Sequence, residues 1–272
     1  MMNIVTVEHL NHPHLQPYLT LRQPEEHRRN GIFVAEGNKV IERLFESNIQ
    51  ILSVLLTPEW LEEYKTTLQA RPEQFDVFVG AKSLLHTIVG FHLHQGVMAV
   101  AKIPEPETLE QLLARSSKPI LFVAVDGLTN SENLGVLVRN CVAFGVQGLL
   151  VGETSSSPYL RRSVRNSMGT IFKLPVVQSS NLADDLSALQ KHGMKVIAAH
   201  PAAREQTLSK TDFSASCCVV FGSEGDGISK KILEVCKDRA AIPMEAGVDS
   251  LNVGSASAAV LYEVRRQRKA YL

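Results

Sequence analysis

Three short polar segments of this chain carry side chains able to bind, position or polarise a ligand. The first, Asp126-Gly-Leu-Thr-Asn-Ser-Glu-Asn-Leu-Gly135, leads into the helically spaced stretch Val136-Leu-Val-Arg-Asn-Cys-Val-Ala-Phe144. Asn133, near the helix start, is of the type that caps a helix, and its carboxamide can equally face a ligand. Arg139 lies among Val136, Leu137, Val138 and Cys141. Such an arginine is either a solvated face residue or a fixed cation beside a cleft. The second segment is Phe221-Gly222-Ser-Glu224-Gly-Asp-Gly227-Ile-Ser229, placed between an apolar run and a helical one. Its glycines permit close backbone approach to a ligand, and Glu224 is the side chain poised at the strand end. A tight turn with a capping acid is the plain alternative. The glycine order G-x-x-G-x-G is not that of a dinucleotide site, and no Gly-Lys-Ser/Thr follows for a P-loop. The third segment, Ile242-Pro-Met-Glu-Ala-Gly-Val-Asp-Ser250-Leu-Asn252-Val-Gly254, runs into a last helix. Ser250 and Asn252 flank Leu251 at a helix N-terminus, where backbone N–H groups lack partners. The small residues from Gly254 to Ala259 let that helix pack closely, or simply form a core face.

The elements that hold these segments follow from hydrophobic patterning. Leu121-Phe-Val-Ala-Val125 is a continuous apolar run, as expected of a strand covered on both faces. Leu149–Val151, Val196–Ala199 and Cys218–Phe221 repeat it with helical stretches between, which implies a mostly parallel sheet flanked by helices. Upstream, strands are expected at Ile32–Ala35, Ile51–Leu56, Val77–Val79 and Val97–Ala101, with a helix opening at Gly37. Ile103-Pro-Glu-Pro-Glu107 admits neither a helix nor a central strand and serves as linker. The expected organisation is a small α/β domain over residues 1–105 and a larger α/β domain over 106–272.

Composition narrows the class without naming it. The 272 residues carry 28 Lys+Arg against 28 Asp+Glu and are 44% hydrophobic, which excludes a wholly disordered chain. Four cysteines without a C-x-x-C pair argue against a disulfide scaffold or zinc ribbon and suit a reduced, cytoplasmic protein. The apolar runs are too short to span a membrane, and the N-terminus lacks the pattern of a secretory signal. Residues 1–105 hold 9 Lys+Arg against 12 Asp+Glu, a net −3, which leaves +3 for the remainder. Of nine histidines, seven fall in that first part. His12-Pro-His14 and His92-Leu-His94 match no familiar ligand spacing, so no metal is expected.

Jointly, N-L-G-x-x-x-R-N-x-x-A-F-G, V-V-F-G-S-E-G-x-G-I-S and I-P-M-x-x-x-V-x-S-L-N-V resemble the three signature motifs of the SpoU (TrmH) family of RNA 2′-O-ribose methyltransferases. They occur in the family's order, between residue 126 and about residue 262. Phe33-Val-Ala-Glu-Gly37 and His94-Gln-Gly-Val97 look like parts of the RNA substrate-binding domain often joined to such enzymes. The resemblance implies a trefoil-knotted α/β catalytic domain, S-adenosylmethionine as cofactor and a homodimer. It implies cofactor contacts at Gly222, Ile242, Met244 and Leu251, and active-site roles for Asn133, Arg139, Glu224, Ser250 and Asn252. A guanidinium holds its proton too tightly to be an easy base. Arg139 is therefore expected to bind the neighbouring phosphate and stabilise oxyanion charge, held in register by Glu224, Ser250 and Asn252. Arg28, Arg29, Arg161 and Arg165 are the expected RNA contacts. Ribosomal RNA is the expected substrate, with transfer RNA the alternative; a cofactor-binding ribosome-assembly protein without turnover is the rival from another class. Three departures stand out: Asn140 where Thr or Ser is common, Gly254 where Ser is common, and Asp126-Gly127 for the frequent Asp-Pro.

Overall fold

The computed structural model describes residues 2–9, 12–89, 96–201 and 206–268. His92, His94 and Gln95 lie outside the described residues. The chain falls into two compact units, Met1–Glu105 with Tyr159–Phe172, and Pro106–Pro158 with Lys173–Leu272.

The first unit contains strands β1 (Met2–Val7), β2 (Ile32–Glu36), β3 (Ile51–Leu56), β4 (Phe75–Gly80) and β5 (Val97–Lys102). Its helices are α1 (Gln16–Leu19), α2 (Pro24–Arg29), α3 (Asn38–Phe45), α4 (Pro58–Gln69), α5 (Lys82–Val89) and, from the returning segment, α8 (Arg161–Asn166). The strands form one sheet in the order β1-β4-β3-β5-β2. The first three of these run parallel, whereas β5 pairs antiparallel with both β3 and β2. Gly37 starts α3 at a φ of 92°, a region glycine enters without a Cβ penalty. Val40, Ile41, Leu44 and Phe45 then bury one face at the spacing read from sequence. Inside the sheet packing, the Tyr18 hydroxyl meets Ser53 Oγ at 2.9 Å.

Residues 159–172 were expected within the second domain, and they pack with the first unit instead. The reason is a buried acid on β2. Glu36 is 5% exposed and accepts from Arg161 at 2.8 Å and Arg165 at 2.9 Å. A carboxylate so enclosed needs cationic partners, and α8 supplies both. Phe33, also on β2, packs its ring against Tyr159 and Phe172 at 5.5 and 5.7 Å between centroids.

The second unit comprises α6 (Leu109–Arg115), β6 (Leu121–Asp126), α7 (Ser131–Ala143), β7 (Gly148–Val151), β8 (Val176–Gln178) and α9 (Leu182–Lys191). It continues through β9 (Lys195–Ala199), β10 (Cys217–Gly222), α10 (Lys230–Val235), β11 (Asp238–Ala240) and α11 (Val253–Gln267). The sheet order is β11-β9-β10-β6-β7-β8, and every pairing is parallel. The chain therefore moves outward from β6 through β7 and β8, returns to lay down β9, and inserts β10 between β9 and β6. All of β6 is buried, in keeping with its unbroken apolar run. Phe122, Ala124, Val196, Val220, Leu182 and Leu186 form the core on one face of the sheet. The reversal of strand order brings the carboxyl ends of β6 and β10 side by side, the position where open α/β sheets bind ligands.

Candidate active site

A pocket of about 340 Å³ lies beyond the carboxyl ends of β9, β10 and β11. The β9 end brings Ala199 and His200 to it, the β10 end Gly222 and Glu224, and the segment after β11 brings Ile242, Met244, Ser250 and Leu251. The three polar segments thus share one end of the sheet because parallel strands deliver their carboxyl ends together.

Local structure explains the turn after β10. Ser223 N–H donates to the Gly227 carbonyl at 3.0 Å, and Ser223 Oγ accepts from the Asp226 N–H at 3.1 Å. A Cβ on Gly222 would overlap the Gly227 backbone, so a side chain there would push the turn out of place. The β6 end is tied to the same turn by Asp126, whose Oδ2 accepts the Ser229 N–H at 2.7 Å. The loop after β6 is further pinned by Ser155, which accepts from Leu128 N–H and donates to the Val125 carbonyl, each at 3.1 Å.

Helix α7 begins earlier than the sequence suggests. Asn130 is its cap, accepting from the N–H groups of Glu132 and Asn133 at 2.9 and 3.2 Å. With capping done by Asn130, the Asn133 carboxamide is free to cross between segments. Its Nδ2 donates to Glu224 Oε1. Asn252 Nδ2 donates to the same Glu224 oxygen at 2.8 Å and to Asn133 Oδ1 at 3.1 Å. Asn252 Oδ1 meanwhile caps α11 by accepting the Gly254 N–H at 2.8 Å. One residue from each polar segment therefore meets in a single hydrogen-bonded triangle, with Glu224 also on the pocket wall.

Arg139 stands apart from this triangle. It is exposed, makes no hydrogen bond or ion pair among the described residues, and is not on the pocket wall. Six residues beyond Asn133, it sits about 9 Å further along α7 and about a third of a turn around it. Glu224 and Asn252 hold Asn133, where the resemblance led us to expect them to hold Arg139. Ser250 lines the pocket as an exposed residue of the turn before α11. The basic residues considered for RNA all lie in the first unit. Arg28 and Arg29 are exposed on α2, Arg165 keeps 57% of its side chain exposed, and Arg161, at 17%, is turned inward to Glu36.

Two of the three departures from the family pattern share a structural reason, and the third has its own. Asn140 Nδ2 donates to the Gly254 carbonyl at 2.7 Å and to Ser257 Oγ at 3.0 Å, so two of the departing positions touch one another. A Cβ on Gly254 would come within 2.6 Å of Val136 Cγ1, so glycine is what lets α11 lie this close to α7. Gly127 adopts a φ of 65°, which a proline ring forbids.

Sequence reading passed over Asn130, Asp126 and Asn140 as positioning residues, and His200 on the pocket wall. Asn130 had a readable signal, being a cap-type residue three positions before Asn133. His200 had none. Burial, and then the charge of Arg239, push its pKa below the ordinary histidine value, which favours the neutral ring.

The pocket suits a nucleoside-like ligand. Ile228, Ile242, Met244 and Leu251 offer apolar surface beside Ser223, Ser250 and the acidic Glu224, Asp226 and Asp249, and the volume falls within the usual ligand range. Among the described residues, no group of three or more His, Cys, Asp or Glu is arranged to hold a metal ion, and no helix is long and apolar enough to cross a membrane.

Fold and site define an α/β protein with a pocket at the carboxyl edge of a parallel sheet. The profile of the SpoU rRNA Methylase family matches residues 120–262, and the chain belongs to this family of RNA methyltransferases. An uncharacterised tRNA/rRNA methyltransferase of Mycobacterium avium is 35% identical over 243 residues, covering 88% of this chain and 71% of that protein. Among solved structures, an AdoMet-bound rRNA methyltransferase from Sinorhizobium meliloti superimposes with a TM-score of 0.82 at 24% identity, covering 97% of this chain and 98% of that one. An RNA 2′-O ribose methyltransferase matches with a TM-score of 0.78 at 24% identity over 98% of this chain and 100% of that one. At such identities these likenesses establish the shared fold.

Proposed function

We propose that the protein transfers a methyl group from S-adenosylmethionine to a ribose 2′-hydroxyl of RNA, with ribosomal RNA as substrate. The observation that carries this reading is the Asn133–Glu224–Asn252 triangle beside an apolar-walled pocket, joining all three motifs at one sheet edge. Ile242, Met244 and Leu251 would cover the adenine ring, with Gly222 on the same wall. When bound, the cofactor supplies an electrophilic methyl on a sulfonium.

The chain's own task is chiefly alignment, and fixed geometry of this kind contributes several kcal/mol to such reactions. The triangle fixes the α7 and α11 N-termini relative to the β10 turn, and Ser250 is presented on the adjoining wall. Arg139 has no partner among the described residues, so its guanidinium is available to hold a phosphate and stabilise the oxyanion as the hydroxyl loses its proton. Its place off the pocket wall of its own chain favours a homodimer in which a second copy completes the site. A monomer of full activity in sedimentation would remove that part of the reading. The first unit, with Arg28, Arg29 and Arg165 exposed, is assigned to RNA recognition.

The deciding experiment offers labelled S-adenosylmethionine with rRNA and tRNA pools that lack the modification, followed by nuclease digestion. Label on the ribose of an rRNA nucleotide is the expected result. Label confined to tRNA would overturn the substrate, and label on a base would overturn the reaction.

A further inference from the structure

The charge of the pocket wall bears on which form of the cofactor it retains. Three acidic residues, Glu224, Asp226 and Asp249, line the pocket, and no lysine or arginine does among the described residues. His200 on the same wall favours its neutral form. Glu224 is engaged by the two asparagine amides. The Asp226 and Asp249 carboxylates accept no hydrogen bond and form no ion pair among the described residues. They stand on two separate loops of the wall, one after β10 and one before α11, so their negative charge reaches the pocket uncompensated from two directions.

Resting on the methyltransferase reading above, we infer that Asp226 and Asp249 are specificity residues that make the pocket select the cationic methyl donor over its neutral demethylated product. The two ligands share the adenosine, the ammonium and the carboxylate. They differ by one methyl and one positive charge, since the donor holds a sulfonium where the product holds a thioether. Contacts to the shared parts cannot tell them apart; a fixed negative field acts alike on the ammonium and carboxylate of both, so the difference it makes falls on the sulfonium. Solvent-exposed carboxylates act through a high effective dielectric and salt screening, so each is expected to contribute about threefold and the pair about tenfold in relative affinity. The consequence is a site that keeps its hold on the donor and releases the spent product.

The test is calorimetric titration of the full-length protein at low salt with three probes. S-adenosylmethionine and sinefungin carry the positive centre, and S-adenosylhomocysteine lacks it. In the Asp226→Asn/Asp249→Asn double variant, affinity for both cationic probes should fall about tenfold, while affinity for S-adenosylhomocysteine should move less than about twofold. Retained binding of the neutral probe also reports that the variant is folded. Raising salt should compress the donor-to-product ratio of the wild type and leave that of the double variant nearly level. An unchanged ratio in the double variant, or an equal loss for all three probes, overturns the inference and leaves the methyltransferase reading standing. Failure of all three to bind the wild type would overturn both.

Discussion

Asn252 offers the sharpest perturbation, because one side chain caps a helix and closes the triangle at once. Its Oδ1 accepts the Gly254 N–H, and its Nδ2 serves both Glu224 and Asn133. Replacement by alanine removes a cap, worth about 1 kcal/mol, and two exposed hydrogen bonds, together worth about 0.5–1 kcal/mol. The expected loss is about 1.5–2 kcal/mol. Replacement by aspartate separates the two roles. An aspartate still caps α11, and its charge favours the helix N-terminus by about 0.5 kcal/mol. It has no amide donor, however, and sets a second carboxylate within hydrogen-bonding range of Glu224. At this exposed position the repulsion is about 1–2 kcal/mol, near the high-dielectric limit. At pH 7.5 the aspartate variant should therefore be nearly as unstable as the alanine one.

The two variants part company in acid. Like charges held together raise the proton affinity of the folded pair above that of the same groups in the unfolded chain. The aspartate penalty is thus absent below the unfolded carboxylate range, near pH 4, and grows as pH rises through the folded value. Urea denaturation followed by far-ultraviolet circular dichroism at pH 7.5 and pH 4.5 reads this directly. Trp60 on α4, the chain's single tryptophan, reports the first unit separately by fluorescence. An aspartate variant as stable as wild type at pH 7.5, or one with the same deficit at both pH values, would refute the triangle as drawn.

Arg139→Ala should abolish methyl transfer while changing S-adenosylmethionine affinity less than about threefold; a parallel loss of cofactor binding would contradict an oxyanion and phosphate role. Glu36→Gln should lower the stability of the first unit by about 2–3 kcal/mol, since it leaves the inward-turned Arg161 without its anion. An unmoved Trp60 fluorescence midpoint would show that ion pair to be dispensable. His27 is buried on α2 beside Thr20, and burial pushes its pKa below the ordinary value of 6.5. The unfolded chain then binds the proton more tightly, so the first unit should lose stability as pH falls through about 6.5. His27→Gln should flatten that slope in Trp60 fluorescence, and an equally steep profile in the variant would assign the effect elsewhere.

Much of the second unit was legible because its central strands are buried on both faces and must be apolar throughout. Leu121–Val125 and Cys218–Phe221 fall within β6 and β10 for that reason. The edge strands β8 and β11 were not legible. Each is three residues long, and Asp238-Arg-Ala240 has no pattern of its own, so pairing with β9 is what makes it a strand. The start of α7 was misjudged because Asn130 and Asn133 are equally good cap types, and only the partner on the far side distinguishes them. Glu224 draws Asn133 away, and Asn130 takes the cap.

The sequence by itself determined the alternation of strands and helices, the three polar segments and their order, and hence the family. Those are properties of near neighbours and short spacings, which a linear pattern records. Tertiary structure alone decided that Glu224 and Asn252 hold Asn133 and leave Arg139 unengaged among the described residues, because helix phase and strand order fix which side chains meet across 91 and 119 residues of chain. It alone decided that residues 159–172 join the first unit, since a buried carboxylate on β2 requires the cations that α8 carries. It also made one feature of two separate departures, for Asn140 bonds to the very carbonyl of Gly254, whose missing side chain lets α11 rest against α7.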